Sequence, residues 1–357
     1  MVFENLKHRP VRTLLSVIAI GVEVTLILTL VGVSRGVLGD MAARSKGTGA
    51  DILIRPPDSS GFTFSLTMKE GLVEVIRRQP HVAMATGTFV KYIDSFNSIT
   101  GIHLEEFNAM SGGLKLLQGS FFRDPDDLLV DEVFAKQHHL KPGSRIDFGG
   151  NWRVCGIVEQ GKLSRTFADI AHLQDLFSAH GLISTIYVKL DDPVNTRAVI
   201  NELQKELPTY KIDSIEDFVS LFNTNSVPYI EAFTRVVIGV AVLIGFLVVC
   251  LSMYTAVLER TREIGILKAL GASPGYIVGI LVRETVALAL TGTVVGIAMT
   301  YGTRELMRIF APQMPQEIVP DWYLTVTGIA LAGSIVGALY PGLRAARQDA
   351  IEALAYD

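Results

Sequence analysis

The stretch Glu259–Pro274, ERTREIGILKALGASP, decides how this chain is interpreted. It is charged at its start, it follows the uncharged apolar run Val236–Leu258, and a second apolar run begins shortly after it. A run of about 20 apolar residues is long enough to cross ~30 Å of hydrocarbon. We therefore expect a short charged helix between two membrane spans, at the membrane surface, where it can meet a soluble partner.

Four apolar runs of about this length predict four transmembrane helices. They are Leu14–Val33, Val236–Leu258, Thr285–Gly302 (with a start as early as Ile277) and Tyr323–Tyr340. The composition agrees, since the mean hydropathy is +0.37 and only 19% of the 357 residues are charged, below the roughly 25% of an ordinary soluble domain. A buried helix hairpin is the alternative for the short, glycine-rich third and fourth runs. The first run exceeds the ~7–15 apolar residues of a secretion signal, so we interpret it as a retained anchor.

The basic residues predict the orientation, because lysine and arginine are enriched in short cytoplasmic flanks. They flank both termini and segment 259–283: Lys7, Arg9, Arg12, Arg260, Arg262, Lys268, Arg283, Arg344 and Arg347. The opposite short loop, 303–321, carries only two arginines, and acids offset them. We therefore predict that both termini and segment 259–283 face the cytoplasm. Arg35, Arg44 and Lys46 argue against this orientation, but they open a long loop, where the rule weakens.

The long segment Ser34–Arg235 between the first two spans is predicted to be an extracytoplasmic α+β domain. Strands are predicted at Ala50–Ile54, Arg145–Phe148, Trp152–Val158 and Ile183–Leu190, the middle two as a hairpin, and helices at Lys69–Gln79, Asp131–Leu140 and Pro193–Leu207. Helices after the first span and before the second, the latter within Phe218–Arg235, would form a stalk for this domain; a flexible linker is the alternative. The predicted fold class is membrane α-helical, with four transmembrane helices and an α+β extracytoplasmic domain inserted between helices 1 and 2.

Composition and motifs argue against several function classes. The net charge of −4 disfavours a nucleic-acid partner, and Cys155 and Cys250 form no disulfide framework or metal site. Gly156–Lys162, GIVEQGK, matches a phosphate-binding loop, but Leu163 follows it in place of the hydroxyl that holds magnesium. Met110–Leu114, MSGGL, resembles an ATPase signature without the segments that accompany it. We interpret both segments as turns and predict that this chain hydrolyses no ATP and holds no cofactor or metal.

Glu23 lies in the middle of the first apolar run. A charge at the bilayer centre costs about 3 kcal/mol on insertion scales, so this carboxyl must face protein, water or a partner, or remain protonated. A role in gating or in packing between subunits is one hypothesis. The other is a neutral carboxyl hydrogen-bonded to Thr25, Thr29 or a facing serine.

Three segments resemble FtsX-like permeases: NLKHRPVRTLLSVIAIGVEV (5–24), ERTREIGILKALGAS (259–273) and YPGLRAARQDAIEALAYD (340–357). The middle segment LVDEVFAKQHHLKPGSRIDFGGNWRVCGIVEQG (129–161) resembles the extracytoplasmic domain of the macrolide exporter MacB and its relatives. The resemblance covers nearly the whole chain in order. Glu23 departs from a position that is usually apolar or small, and Asp349-Ala350 stands where the family often has a proline pair.

The resemblance implies a type VII, or mechanotransmission, ABC transporter. Two permeases, a second copy or a paralogue, would pair in the lipid bilayer above a dimer of cytoplasmic ABC ATPases that binds ATP and magnesium. A periplasmic adaptor and an outer-membrane channel are further expected partners. The cargo would be a lipid, lipoprotein, peptide or drug. An FtsX-like mechanical signalling subunit that activates a cell-wall hydrolase is the alternative, and an enzyme domain on a membrane anchor is a third hypothesis.

The resemblance also predicts a division of the chain. Its parts are 1–34 (cytoplasmic N-terminus and first span), 35–235 (MacB-like domain with stalk helices), 236–258 (second span), 259–276 (cytoplasmic coupling helix), 277–302 (third span), 303–322 (extracytoplasmic loop), 323–340 (fourth span) and 341–357 (cytoplasmic tail).

Eight residues of the coupling helix are predicted to contact the ATPase. They are Glu259, Arg260, Arg262, Glu263, Ile264, Leu267, Leu270 and Gly271. The charged members would form charge-assisted bonds in a groove, and the apolar members recur at helical spacing and would fill an apolar pocket. Glycine suits the position after a helix end, and Ser273 and Pro274 suit the start of the next helix. The alternative is a positively biased loop that only sets topology.

Overall fold

The computed structural model describes residues 10–59, 66–94, 97–222 and 228–347. The predictions made for Lys7, Arg9 and the tail 348–357 lie outside these residues. The chain forms two compact units. The helical unit comprises Met1–Gly36, Pro228–Ile309 and Gln316–Asp357, and the α+β unit comprises Val37–Val227 and Phe310–Pro315.

The first helix, α1, runs from Pro10 to Lys46. It is apolar through Val33 and mixed from Ser34 onward. At 1.5 Å per residue it is about 55 Å long, well beyond the ~30 Å of a hydrocarbon core. Residues 34–46, for which the sequence predicts a stalk helix, are the last turns of α1, so the chain passes from the helical unit into the α+β unit without leaving this helix.

The α+β unit contains twelve strands and six α-helices among its described residues. The strands are β1 (Ile52–Arg55), β2 (Met68–Lys69), β3 (Val82–Tyr92), β4 (Ser98–Ile102), β5 (Leu116–Gly119), β6 (Asp127–Asp131), β7 (Arg145–Asp147), β8 (Asn151–Val158), β9 (Thr166–Asp169), β10 (Leu182–Ile183), β11 (Thr185–Leu190) and β12 (Lys211–Ser214). The helices are α2 (Leu72–Arg77), α3 (Leu104–Ser111), α4 (Glu132–Gln137), α5 (Ile170–Leu176), α6 (Thr196–Glu206, after a 3₁₀ turn at Pro193–Asn195) and α7 (Ile215–Ser220).

Ten of these strands form one mixed sheet in the order β12-β1-β11-β3-β4-β9-β6-β8-β5, with β7 paired to β8. β4 and β9 are parallel, as are β6 and β8, and the other pairs are antiparallel. Both faces of the sheet are covered near its middle. In β6, Leu128 and Val130 join the larger core around Trp152, whereas Leu129 joins a smaller core around Phe107 on the other face, as the two-residue period of a strand requires.

Most elements predicted for this unit are confirmed. β7 and β8 form the predicted hairpin, with Asp147 opposite Asn151. The helix predicted at Lys69–Gln79 is wrong in its extent, because Lys69 belongs to β2, which pairs with β10. The helix predicted from Asp131 begins one residue later, since Asp131 is its N-cap and accepts a 2.7 Å bond from the backbone N–H of Phe134.

The helical unit continues with α8 (Pro228–Glu259), the short α9 (Thr261–Ala269), α10 (Pro274–Phe310) and α11 (Tyr323–Arg347). Among the described residues four helices are long and apolar enough to cross a membrane: Thr13–Lys46, Ala232–Glu259, Pro274–Phe310 and Pro320–Arg347. The predicted fold class is therefore confirmed. The third and fourth candidates both reach the length of a span, which disfavours the buried hairpin considered for them.

Glycines bring these helices close together. A Cβ on Gly296 of α10 would lie 2.6 Å from the carbonyl oxygen of Gly21, and one on Gly292 would lie 2.7 Å from Cβ of Ile20. On α11, a Cβ on Gly337 would lie 2.9 Å from the carbonyl oxygen of Phe246 in α8. Small residues four apart allow such backbone contact in membrane helices. Replacing any of these three glycines with alanine would therefore push two helices apart.

Candidate functional site

The predicted coupling helix is α9, and one non-helical residue separates it from α8. That residue, Arg260, has φ −112° and ψ 16°. The hydroxyl of Thr261 donates to the carbonyls of Val257 (3.1 Å) and Leu258 (2.8 Å), and the N–H of Arg260 also donates to the carbonyl of Val257 (3.1 Å). The chain therefore changes direction here without a loop.

Gly271 ends α9 at the predicted position, with φ +91°. Its N–H donates to the carbonyl of Lys268 (2.9 Å), and the N–H of Ala272 donates to that of Leu267 (2.9 Å). This pair of bonds is the Schellman arrangement, which favours glycine because of its left-handed backbone. The N–H of Tyr276 then donates to the hydroxyl of Ser273 (3.3 Å) at the start of α10. Both ends of the short helix are thus held by local bonds.

α9 has one buried and one exposed face. Ile264 is only 8% exposed and packs in the core of the helical unit. Its side chain is therefore not available for the ATPase contact that the sequence analysis predicts. The apolar residues on the exposed face are Ile266 (47% exposed) and Leu270 (80%), beside the exposed Arg262 and Glu263. The helical spacing of apolar residues did not identify Ile266, because the face that it selected includes the buried Ile264.

Arg260 also turns inward. Its guanidinium donates to Glu284 of α10 across 3.2 Å, and the two side chains are only 13% and 2% exposed. The sequence analysis predicts that Arg260 contacts the ATPase. It identifies only Glu23 as an ionisable residue within a span. Glu284 lies within the predicted third span, 277–302, but it was not singled out, because the apolar run itself begins at the next residue, Thr285. An acid directly before an apolar run was the signal that could have identified it.

Glu23 is buried against α8. Its carboxyl occupies the space that a Cβ on Gly245 would need. The hydroxyls proposed as its partners bond elsewhere: Thr25 donates to the carbonyls of Gly21 (2.7 Å) and Gly296 (3.0 Å), and Thr29 lies 3.1 Å from the hydroxyl of Thr303. The environment of this carboxyl is therefore the backbone of α8.

The last turns of α1 make a second cluster of contacts, within the α+β unit. We call this cluster the junction. It comprises residues 40–49, which are the last residues of α1 and the three that follow it, together with residues 110–111, 131 and 161–165. Arg165 donates to Asp40 (2.8 Å) and to Asp131 (3.4 Å), and Nε of Arg44 lies 3.2 Å from Asp40. Burial raises the pKa of Asp131 to about 6, against the N–H of Phe134 and the neighbouring guanidinium groups, which favour the carboxylate.

Glycines close the junction at backbone level. A Cβ on Gly47 would overlap the carbonyl oxygen of Gly161, and a Cβ on Gly49, which has φ +70°, would overlap the carbonyl oxygen of Met110. Lys162 donates to the carbonyl of Ser111. The two ATPase-like segments, GIVEQGK and MSGGL, are therefore the end of β8 with the turn after it and the end of α3 with the turn after it, and they meet each other at the end of α1.

Within the helical unit, α1 is also hydrogen-bonded to the segment that precedes α11. Arg35 donates to both carboxylate oxygens of Asp321 (2.9 and 2.7 Å), and the N–H of Glu317 donates to the carbonyl of Gly32 (3.0 Å). Arg35 was one of the basic residues that opposed the predicted orientation.

No group of three or more histidine, cysteine or acidic side chains is placed to hold a metal ion in the part of the chain that the structure describes. The prominent features are instead a capped helix with one exposed face, and helices joined by glycine contacts and ion pairs. Four membrane-length helices with an α+β domain inserted after the first define the class: a multi-pass membrane permease.

Two family descriptions match successive parts of the chain. The MacB-like periplasmic core domain matches residues 13–206, and the FtsX-like permease C-terminal region matches residues 235–350. The chain belongs to the MacB/FtsX family of ABC transporter permeases.

Several relatives share this organisation. The macrolide export ATP-binding/permease protein MacB of Escherichia coli is 26% identical over 395 residues, which cover 99% of this chain and 60% of that protein. The uncharacterized ABC transporter permease MJ1507 of Methanocaldococcus jannaschii is 25% identical over 386 residues, which cover 99% of this chain and 96% of that protein. YknZ of Bacillus subtilis, an uncharacterized ABC transporter permease, is 41% identical over 122 residues, 33% of this chain and 30% of YknZ. The chain spans about 60% of the length of the MacB proteins.

Among solved structures, the periplasmic region of MacB from Actinobacillus actinomycetemcomitans matches 48% of this chain and 92% of its own, with 18% identity and a TM-score of 0.38.

Proposed function

We propose that this chain is the permease subunit of a MacB/FtsX-type ABC transporter that receives motion at α9 and passes it to the α+β unit. The ATPase would be a separate cytoplasmic dimer that binds ATP and magnesium, as the near-complete match to the permease MJ1507 supports. The permease itself would be non-catalytic and would work in the bacterial inner membrane with cytoplasmic termini. A second copy or a paralogue would complete the pair.

The two-faced structure of α9 is the observation that carries this proposal. Ile264 anchors the helix to its own unit, while Ile266 and Leu270 are exposed beside Arg262 and Glu263. A mixture of exposed apolar and charged side chains fits a protein groove better than lipid, because charges in hydrocarbon are costly and charge-assisted bonds to a partner are strong. A surface loop that only set topology would not need the Schellman cap at Gly271.

The continuity of α1 supports the transmission of motion. From Pro10 to Lys46 the chain is one helix, which contacts α10 through glycines and ends in the junction. A helix transmits displacement along its axis with little loss, in contrast to a flexible linker. The cargo acted on at the far end would be a lipid, lipoprotein, peptide or drug-like molecule, with an adaptor and an outer-membrane channel as further partners.

The proposal is tested by isolating the chain from its native membranes and identifying the ATPase that co-purifies. Ile266→Asp and Leu270→Asp should each weaken the complex by about 2 kcal/mol, ~30-fold in affinity, as loss of a central interface residue does. Leu176→Asp is the matched control, since Leu176 is comparably exposed in the α+β unit. Ile264 is unsuitable for this test, because a buried charge there would unfold the helix packing.

Retention of a full complement of ATPase by both variants would contradict the proposal. If the wild-type complex contains a cell-wall hydrolase and its ATP turnover does not respond to any cargo, the chain serves mechanical signalling instead of transport.

A further inference from the structure

The Arg260–Glu284 pair is unusual for its burial and its place in the chain. Arg260 is the one residue between α8 and α9, and Glu284 lies inside α10 with its side chain 2% exposed. A buried ion pair loses much of its Coulomb attraction to the cost of removing both charges from water. Its presence at a change of chain direction therefore points to a role in orientation more than in stability.

The contacts of α9 are concentrated at its first turns. Thr261 bonds to the end of α8, Arg260 reaches Glu284, and Ile264 packs in the core. At the other end, Leu270 is 80% exposed and the chain turns at Gly271. The helix is thus attached at one end and presents its exposed apolar side chains toward the other.

Through Glu284, α9 is connected to the helix that contacts α1. Gly292 and Gly296 lie two and three turns beyond Glu284 on α10 and meet Ile20 and Gly21 of α1. Thr25 adds a hydrogen bond to the carbonyl of Gly296. A displacement of Arg260 therefore reaches α1 through side chains that are packed or hydrogen-bonded at each step.

We infer that Arg260 and Glu284 are the positioning residues through which α9 moves α10, an inference that rests on the proposed function. The ion pair fixes the direction of α9 relative to α10, so that a partner pressing on Ile266 and Leu270 displaces α10 and, with it, α1. Without the pair, α9 can still bind the ATPase, but its movement is no longer passed to α10.

The test uses the complex of the permease with its ATPase in lipid nanodiscs. Single variants remove one charge of a buried ion pair and can fail to fold. The informative proteins are therefore Arg260→Met/Glu284→Leu, which replaces the pair with apolar side chains, and Arg260→Glu/Glu284→Arg, which reverses it. Spin labels at the exposed positions Val194 and Leu306, in a background without Cys155 and Cys250, report the distance change on addition of ATP.

The apolar double variant should keep its ATPase, yet its ATP-dependent distance change should fall by at least about fivefold, the lower end of coupling between sites. The reversed pair should recover part of the wild-type change. Arg78→Met, which alters an exposed arginine of the α+β unit, is the control and should leave the distance change intact.

A full ATP-dependent distance change in the apolar double variant would overturn the inference while leaving the proposed function intact. Failure of the proposed function gives a different result, because the wild-type chain would then bind no ATPase or show no distance change. Loss of movement in both double variants, with the ATPase still bound, would mean that shape at this contact matters and the ion pair does not.

Discussion

The attachment of α9 and the junction at the end of α1 are built in opposite ways. α9 is held at one end by Arg260, Thr261 and Ile264 and leaves a face with Ile266 and Leu270 exposed. The junction is closed by backbone contacts at glycines and by alternating charges from α1 and the sheet. The first arrangement suits a contact that must bind and move, and the second suits one that must not yield. Substitutions at α9 should therefore affect coupling, and substitutions at the junction should affect stability.

The strongest test of the rigid junction is Arg165→Met. This change removes the guanidinium that bonds to both Asp40 and the buried Asp131, and removal of one partner of a buried pair costs about 4 kcal/mol. The free energy of unfolding of the α+β unit can be followed by the fluorescence of Trp152, which is buried there, in a Trp322→Phe background. Only two tryptophans are present, so the signal is unambiguous.

Lys136→Met is the control for this experiment. Its exposed pair with Glu132 in α4 should contribute at most about 0.5 kcal/mol. If Arg165→Met costs no more than this control, the charges of the junction do not hold it together, and the contrast with α9 disappears.

Gly47→Ala tests the backbone contact at the junction. The new Cβ would overlap the carbonyl oxygen of Gly161, and neither backbone can move away cheaply, so we expect a loss of about 3 kcal/mol, the upper end for common single substitutions. Gly39→Ala, on the same helix but with no atom within 4 Å of the new Cβ, should instead stabilise by about 0.5–1 kcal/mol through helix propensity. Equal effects of the two substitutions, measured by urea unfolding, would show that the junction can open locally.

Contacts close in sequence were predictable, and contacts between distant segments were not. The four spans follow from the length of apolar runs, and the end of α9 follows from Gly271, since both signals are local. The Arg260–Glu284 pair joins two helices across 24 positions and depends on the break at Arg260. For α9, spacing identified an apolar stripe, but packing against the other helices decided that Ile264 is buried and Ile266 exposed. The meeting of Gly47 with Gly161 likewise depends on the whole sheet topology.

The smallest expected effect concerns Asp131. It is also the most direct test of the balance between burial and the neighbouring cations in the junction. Burial raises its pKa from 3.8 to about 6, so the folded unit takes up a proton between about pH 6 and pH 4 that the unfolded chain does not. The stability contributed by this group therefore increases as the pH falls through that window and is lost as the pH rises through 6. The shift of about two units corresponds to about 3 kcal/mol in full, of which about 2 kcal/mol is gained between pH 7 and pH 4.5.

Asp131→Asn isolates this contribution, because asparagine can still accept the bond from the N–H of Phe134 but does not titrate. The free energy of unfolding should rise between pH 7 and pH 4.5 in the wild type relative to the variant. Parallel pH profiles would mean that Arg165 and Arg44 outweigh burial and hold Asp131 ionised throughout. The two results also fix how Arg165→Met behaves: if burial dominates, loss of Arg165 raises the pKa of Asp131 further, and the variant regains part of its stability at pH 5. If the cations dominate, it does not.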